Sequence, residues 1–221
     1  MTMKTELHLH TSEVSSCGHV CAADAVSAYH ERGYSCLVVT DHFSPYFIAK
    51  CKNKGITNIK DEYLKGYNAA LEQGQRLGMT VLLGCEVCLY EASNDYLVYG
   101  ISPEEFNDDS ILRMSVSDFS KYCKEKGYLL YQAHPFRNHM KVVKPELLFG
   151  IEVNNGNPRH NSRNNISLLW AEQHGLRKIS GSDYHQTEDL ARGGIITEKP
   201  ITSNAELLTI LTENKYSLIT I

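Results

Sequence analysis

Residues 36–42 read Cys36-Leu37-Val38-Val39-Thr40-Asp41-His42. Four apolar residues form a run of strand length, and the run stops on a hydroxyl, a carboxylate and an imidazole. The same grammar recurs along the chain. Val81-Leu82-Leu83 leads into Gly84-Cys85-Glu86, and Tyr128-Leu129-Leu130-Tyr131 leads into Ala133-His134-Pro135. Lys178-Ile179-Ser180 leads into Gly181-Ser182-Asp183-Tyr184-His185. Near the start, Glu6-Leu7-His8-Leu9-His10 interleaves apolar and imidazole side chains. Each chemically distinctive cluster falls just past an apolar run.

Extending this reading predicts strands over Glu6–His10, Cys36–Thr40, Thr80–Cys85, Tyr96–Ile101, Tyr128–Gln132, Gly150–Val153, Lys178–Gly181 and Gly194–Ile196. Apolar residues at helical spacing predict helices over Ala22–Glu31, Tyr63–Arg76, Val116–Glu125, Ser162–His174 and Asn204–Glu213. Gly33, Gly78, Gly127 and Gly175 follow apolar-periodic segments, where a left-handed C-terminal cap favours glycine. Ser203 precedes the last helix with Glu206 three residues on, a capping-box pattern. Strands alternating with helices imply largely parallel pairing in a layered or barrel α/β domain. Such folds gather their chemistry at the C-terminal strand ends, where the clusters lie.

The 221 residues suit one sizeable domain, with 42% hydrophobic and 22% charged residues. A formal net charge of -4 disfavours a broad basic surface for duplex nucleic acid, and no stable duplex is expected as a partner. The start, MTMKTELHLH, has no secretory apolar run, and no stretch approaches the ~20 apolar residues of a membrane span. A cytoplasmic location is therefore expected. Seven cysteines form an odd count in a chain too long to need a disulfide framework, so reduced thiols are expected.

Residues two apart on a strand share a face, so His8 and His10 are positioned to serve one metal ion or two neighbouring ones. A surface strand with two exposed histidines is the simpler alternative. After the next strand, His42 reads as a ligand and Asp41 as the group orienting a ligand imidazole, unless Asp41 only caps a turn. Glu86 ends a buried strand, where an ionised carboxylate costs several kcal/mol unless a cation or dense hydrogen bonding compensates. Cys85 and Cys88 form a CxxC without a second pair, favouring strand packing over a zinc ribbon or redox pair. Asp183 and His185 on one face suit Zn, Mn or Fe. His30 and His174 read as surface or packing residues; His19, His139 and His160 sit in loops near the strand ends.

The ordered set HxH, TDH, GxE, AHP and SDxH resembles the PHP family, named for polymerase and histidinol phosphatase, over nearly the whole chain. The resemblance implies a single domain over residues 1–221, a TIM-like distorted (β/α)7 barrel, and two or three divalent ions, Zn, Mn or Fe. It implies the ligands His8, His10, His42, Glu86, His134, Asp183 and His185, with Glu86 bridging two ions. Two positions depart from the commoner pattern. Shortly after HxH, where the family often has Asp or His, Glu13 or Cys17 is the substitute; oxygen suits a hydrolytic site, which favours Glu13. Before Tyr99-Gly100, Asp95 stands where a histidine is common.

The implied activity is metal-dependent phosphoester hydrolysis, with a histidinol phosphate, nucleotide or short oligonucleotide end as substrate. Asp41, His185 and Arg137 are the catalytic candidates. Asp41 orients a ligand imidazole, His185 flanks the leaving oxygen, and Arg137 clamps phosphate oxygens through its fork of donors. Arg159 and His160 are further candidate contacts. A non-catalytic or regulatory metal-binding domain and an amidohydrolase-type enzyme remain the alternatives. The latter generally carries a metal-bridging lysine near a strand end, and none stands out here.

Overall fold

The computed structural model describes residues 2–220. The first part of the chain forms β1 (Met3–Glu6), α1 (Ala22–Glu31), β2 (Tyr34–Val39), β3 (His42–Phe43), α2 (Pro45–Asn53), α3 (Ile59–Tyr63) and α4 (Lys65–Leu77). Then follow β4 (Thr80–Cys88), β5 (Asp95–Tyr99), α5 (Val116–Lys126), β6 (Leu129–Gln132) and β7 (Gly150–Asn155). The chain continues through α6 (Asn164–His174), β8 (Arg177–Gly181), β9 (Ile195–Thr197), α7 (Asn204–Glu213) and β10 (Ser217–Leu218). None of these helices is long and apolar enough to cross a membrane.

The strands form one sheet in the order β10-β9-β1-β2-β4-β5-β6-β7-β8, with β3 paired to β4. The sheet curls into a nearly closed, distorted α/β barrel. Its seam is bridged where Leu9 pairs with Tyr184: Tyr184 N donates to His8 O and His10 N to Tyr184 O, at 3.2 and 2.9 Å. Pairs β1–β2, β2–β4, β6–β7 and β7–β8 are parallel. The expectation of parallel pairing fails at β5, which is antiparallel to both neighbours, and at β9, antiparallel to β1. Residues 89–94 are too few to carry the crossover a parallel β4–β5 pair needs.

Period-two alternation sorts β2 cleanly. Cys36 and Val38 join Leu7, Leu82, Leu97, Tyr131 and Ile179 in a cluster that α7 completes with Leu207 and Leu211. Leu37 and Val39 face the other way, onto Ala25, Val26 and Tyr29 of α1 and Ala70 of α4. One barrel end is thus filled with apolar side chains, each large one contributing roughly 1.5–3 kcal/mol by burial. The other end carries the polar clusters.

The first strand lies earlier than the expected Glu6–His10, over Met3–Glu6, and Glu6 is the reason it ends there. Its Oε1 accepts the N–H groups of Leu7 and His8 at 3.0 and 2.9 Å, so those donors leave the β ladder. The predicted helix over Tyr63–Arg76 is two helices broken at Leu64, and α2 was not anticipated although Ser44 caps it with Pro45 in its first turn. All four cap glycines adopt positive φ, from 64 to 75°. The expected capping box at Ser203 forms only by half. Ser203 Oγ accepts from Glu206 N, while the Glu206 carboxylate turns to Thr202.

Gly181 ends β8 directly beneath the clusters. A Cβ there would stand 2.3 Å from His8 Cβ and 2.8 Å from Glu152 Oε1. Gly181→Ala is therefore expected to destabilise the protein by about 1–3 kcal/mol through overpacking. Urea unfolding measures it; an unchanged midpoint would contradict this account of the close approach.

Candidate metal centre

Alternation along β4 places Leu82, Gly84 and Glu86 on its inner face, so the strand delivers a carboxylate to the polar end of the barrel. Glu86 is fully buried. Its Oε2 lies 3.3 Å from His8 Nε2, 3.1 Å from His10 Nε2 and 3.2 Å from His42 Nδ1, and its Oε1 lies 3.2 Å from His134 Nε2. Close as these nitrogens are, their directions suit no hydrogen bond, and both oxygens lack a partner. His8 Nε2 and His10 Nε2 face each other at 3.1 Å, with Asp183 Oδ1 at 3.4 and 3.5 Å. Ligand atoms within 4.8 Å of one another fall into three groups: His8, Glu86 and His134; His8, His10 and Asp183; His10, His42 and His185. A mixed nitrogen and oxygen donor set of this kind fits Zn, Mn or Fe. The sharing of His8 and His10 between groups fits adjacent ions.

Two of these residues carry backbone strain. His134 and Asp183 have φ of 28 and 51°, a conformation costing roughly 1–3 kcal/mol each outside glycine. Local bonds hold them. His134 N donates to Glu152 Oε2 at 2.9 Å, Arg137 Nη2 donates to Asp183 Oδ2 at 2.7 Å, and Asn157 Nδ2 donates to Asp183 O at 3.2 Å.

A further layer of carboxylates fixes the imidazoles. Glu152 Oε1 faces His8 Nδ1 at 2.9 Å, which sets that ring's tautomer and aims Nε2 inward. Sequence reasoning missed Glu152, although an acid between Ile151 and Val153 is the same signal that singled out Glu86. Asp41 reaches the His10 imidazole only through a hydroxyl. It accepts from Thr11 N and Oγ1 and from Ser15 Oγ at 2.6–2.7 Å, and Ser15 Oγ stands 3.2 Å from His10 Nδ1. Glu6, also missed, ties Tyr29 OH and Ser182 N to the turn before His8.

Other candidates lie elsewhere. Glu13 is not among the converging groups. Its carboxylate accepts from Ala22 N at 3.0 and 3.1 Å, drawn to the free N–H groups and positive dipole end of α1. Cys17 does reach the cluster, with Sγ 3.2 Å from His185 Nε2. Asp95 stands outside the three groups, Oδ2 4.0 Å from His134 Nε2. Arg137 is not a free clamp, since its fork already holds Asp183 and Asn155. Arg159 pairs with buried Asp189, which also takes His185 N, so it braces the His185 turn. His19, His139 and His160 are exposed and join no group. All seven cysteines are free thiols, and Cys85 faces the outer core.

The electrostatics follow from burial. Desolvation opposes ionisation of Glu86 and Asp183, yet the imidazoles around them, His8 foremost, hold both carboxyls well below their usual range. Burial likewise opposes charge on His10, but the Asp183 and Glu86 carboxylates beside its Nε2 lift it to about 9. His42 and His185 are depressed by burial to about 3 and about 4. Burial and the charge on Glu86 push Asp95 up to about 6. A cavity of about 430 Å³ opens beside this cluster, walled by Cys17, His42, Tyr46, Lys50, Tyr90 and Asp95.

The PHP domain family model matches residues 6–214. No curated protein shows a significant sequence match. Among solved structures, a Bacteroides vulgatus two-domain protein described as containing a PHP-like metal-dependent phosphoesterase aligns with TM-score 0.75 and 18% identity. That alignment covers 100% of this chain but 65% of the larger protein. PsfC from Pseudomonas syringae aligns with TM-score 0.69 and 14% identity over 100% and 92% of the two chains. The lesion-specific endonuclease EndoQ of Pyrococcus furiosus aligns with TM-score 0.64 and 12% identity over 99% and 58%. At these identities the likeness is one of fold.

The opposed imidazole shifts predict a stability optimum for chelator-treated protein. His10, raised from 6.5 to about 9, contributes stability in full below pH 6.5 and loses it as pH climbs through 9. His42 and His185, lowered to about 3 and about 4, destabilise the folded state as pH falls below 6.5. Melting temperature should therefore peak near pH 6.5, and adding Zn or Mn should flatten the basic limb. A monotonic rise in melting temperature from pH 6.5 to 9 without metal would contradict the assignment.

Proposed function

Since the chain belongs to the PHP domain family, we propose that it is a metal-dependent phosphoesterase acting on a small phosphate monoester or the phosphate end of a nucleotide or short oligonucleotide. The observation that carries this reading is Glu86, buried with both oxygens unpartnered among four imidazoles, beside an open cavity. The three groups centred on His8 and His10 would hold two or three divalent ions, with Glu86 shared between them. Such ions supply charge to polarise a phosphoryl oxygen and acidify a water.

The chain's own residues do the rest. Arg137 holds Asp183 in its strained conformation, so its role is to position a ligand carboxylate. Asp41 fixes His10 through Ser15, and Glu152 fixes His8. His185 presents its ring at the side of the cluster nearest Cys17. Lys50 adds positive charge to the cavity wall. Tyr46 and Tyr90, 66% and 43% exposed, offer flat apolar faces to a ring-bearing leaving group. A cavity of about 430 Å³ has room for a mononucleotide or a strand end. Asp95, at the cavity wall just outside the three ligand groups, is placed to donate a proton to the leaving oxygen.

Two measurements test this. Protein loaded with Mn or Zn should hydrolyse at least one member of a panel of aryl phosphates, histidinol phosphate, nucleoside monophosphates and short 5'-phosphorylated oligonucleotides. Full metal occupancy without turnover on any of them would overturn the reading. Asp95→Asn should lower kcat by roughly 10²–10⁴-fold on alkyl phosphates, whose leaving oxygen needs a proton, and far less on nitrophenyl phosphate. Equal losses on both would remove Asp95 from that role.

A further inference from the structure

His10, His42 and His185 form the outermost of the three ligand groups, and the carboxylate expected to complete it is bound at the N-terminus of α1. A different side chain stands in that place. Cys17 is partly buried, lines the cavity together with His42, and brings Sγ to 3.2 Å from His185 Nε2. The tautomer of His185 gives this contact its meaning. Nδ1 faces the Asp183 carbonyl oxygen at 2.8 Å and so carries the ring proton, leaving Nε2 with its lone pair aimed at the sulfur. The thiol proton lies between two donor atoms that would both ligate a soft or borderline cation.

A second observation points to a cation at the same spot. Glu86 Oε2, fully buried and without a hydrogen-bond partner, stands 3.2 Å from His42 Nδ1. Typical zinc–sulfur and zinc–nitrogen bond lengths in a tetrahedral site put bound sulfur and nitrogen about 3.5 Å apart. The Cys17–His185 separation is within a few tenths of an ångström of that value.

We propose that Cys17 supplies a thiolate ligand to the ion held by His10, His42 and His185, biasing that position toward zinc or cobalt over manganese. On binding, the thiol gives up its proton to solvent and the sulfur lone pair takes the cation in its place. Thiolate ligation favours softer metals, whereas an all-oxygen and imidazole set does not discriminate so strongly. The proposal rests on the metal-centre reading above.

The test is cobalt titration of the full chain, followed by near-ultraviolet absorption and elemental analysis. Wild-type protein should develop a sulfur-to-cobalt charge-transfer band as the last equivalent binds. Cys17→Ser should lose the band and weaken zinc at that position about 10-fold or more with manganese little changed, while Cys21→Ser keeps both. Cys17→Asp, which restores a charged ligand, should recover cobalt binding without the band. Cobalt-replete wild type lacking the band, or a band that survives in Cys17→Ser, overturns the thiolate assignment and leaves the rest of the centre standing. Failure to bind any cobalt overturns both.

Discussion

A carboxylate buried with nothing to satisfy it governs this molecule. Removing an ion from water costs several kcal/mol even after relaxation, and Glu86 recovers none of that from hydrogen bonds to its oxygens. It recovers it chiefly from positive charge on His8 and His10, two of the four imidazoles whose nitrogens lie 3.1–3.3 Å away. Those nitrogens come from the stretch after β1, from β3, and from the turn that follows β6. Each segment must therefore reach the same end of the barrel in register with β4. The pairing of His42 with Glu86 across β3 and β4, and the Leu9–Tyr184 bridge over the seam, are the backbone consequences.

The cost of this arrangement is distributed over the scaffold. Strain at His134 is held by Glu152 and strain at Asp183 by Arg137 and Asn157, inside a layer of carboxylates made by Glu152, Asp41 and Glu6. Each of these is itself buried with both oxygens hydrogen-bonded, unlike Glu86. The contrast sets Glu86, with both oxygens free for a cation, apart from neighbours whose oxygens are engaged by N–H and O–H groups. At the opposite barrel end, Leu207 and Leu211 of α7 seal an apolar core that needs no such accommodation.

Much of this was legible in the sequence because the signal was local. An apolar run of strand length ending on a polar residue marks both the strand and the direction of its last side chain, and it located His42, Glu86, His134 and Asp183. Where the outcome depended on contacts between distant segments, reading failed. Glu13 and Cys17 lie four residues apart in one loop, and only the packing of α1 against it decides which faces inward. The reversal of β5 was readable from the short connection before it, yet the alternating pattern suggested parallel pairing. Glu152 lies inside a predicted strand with the same signature as Glu86, but that strand runs on into asparagines rather than a His or Asp cluster.

The site also has a gradient that its composition alone conceals. The deep side holds Glu86, Asp183 and Glu152 around His8 and His10, and there the carboxylates outweigh burial and favour positive charge. The outer side holds His42, His185 and Cys17 near the cavity, where burial outweighs the carboxylates and the imidazoles stay neutral. A cation entering from solvent meets neutral lone pairs first and concentrated negative charge last. Occupying the deep side requires displacing protons from His8 and His10, whereas His42 and His185 on the outer side already offer free lone pairs. The two ends of one cluster therefore respond oppositely to pH, and that opposition follows from how many carboxylates each imidazole faces rather than from any difference in residue type.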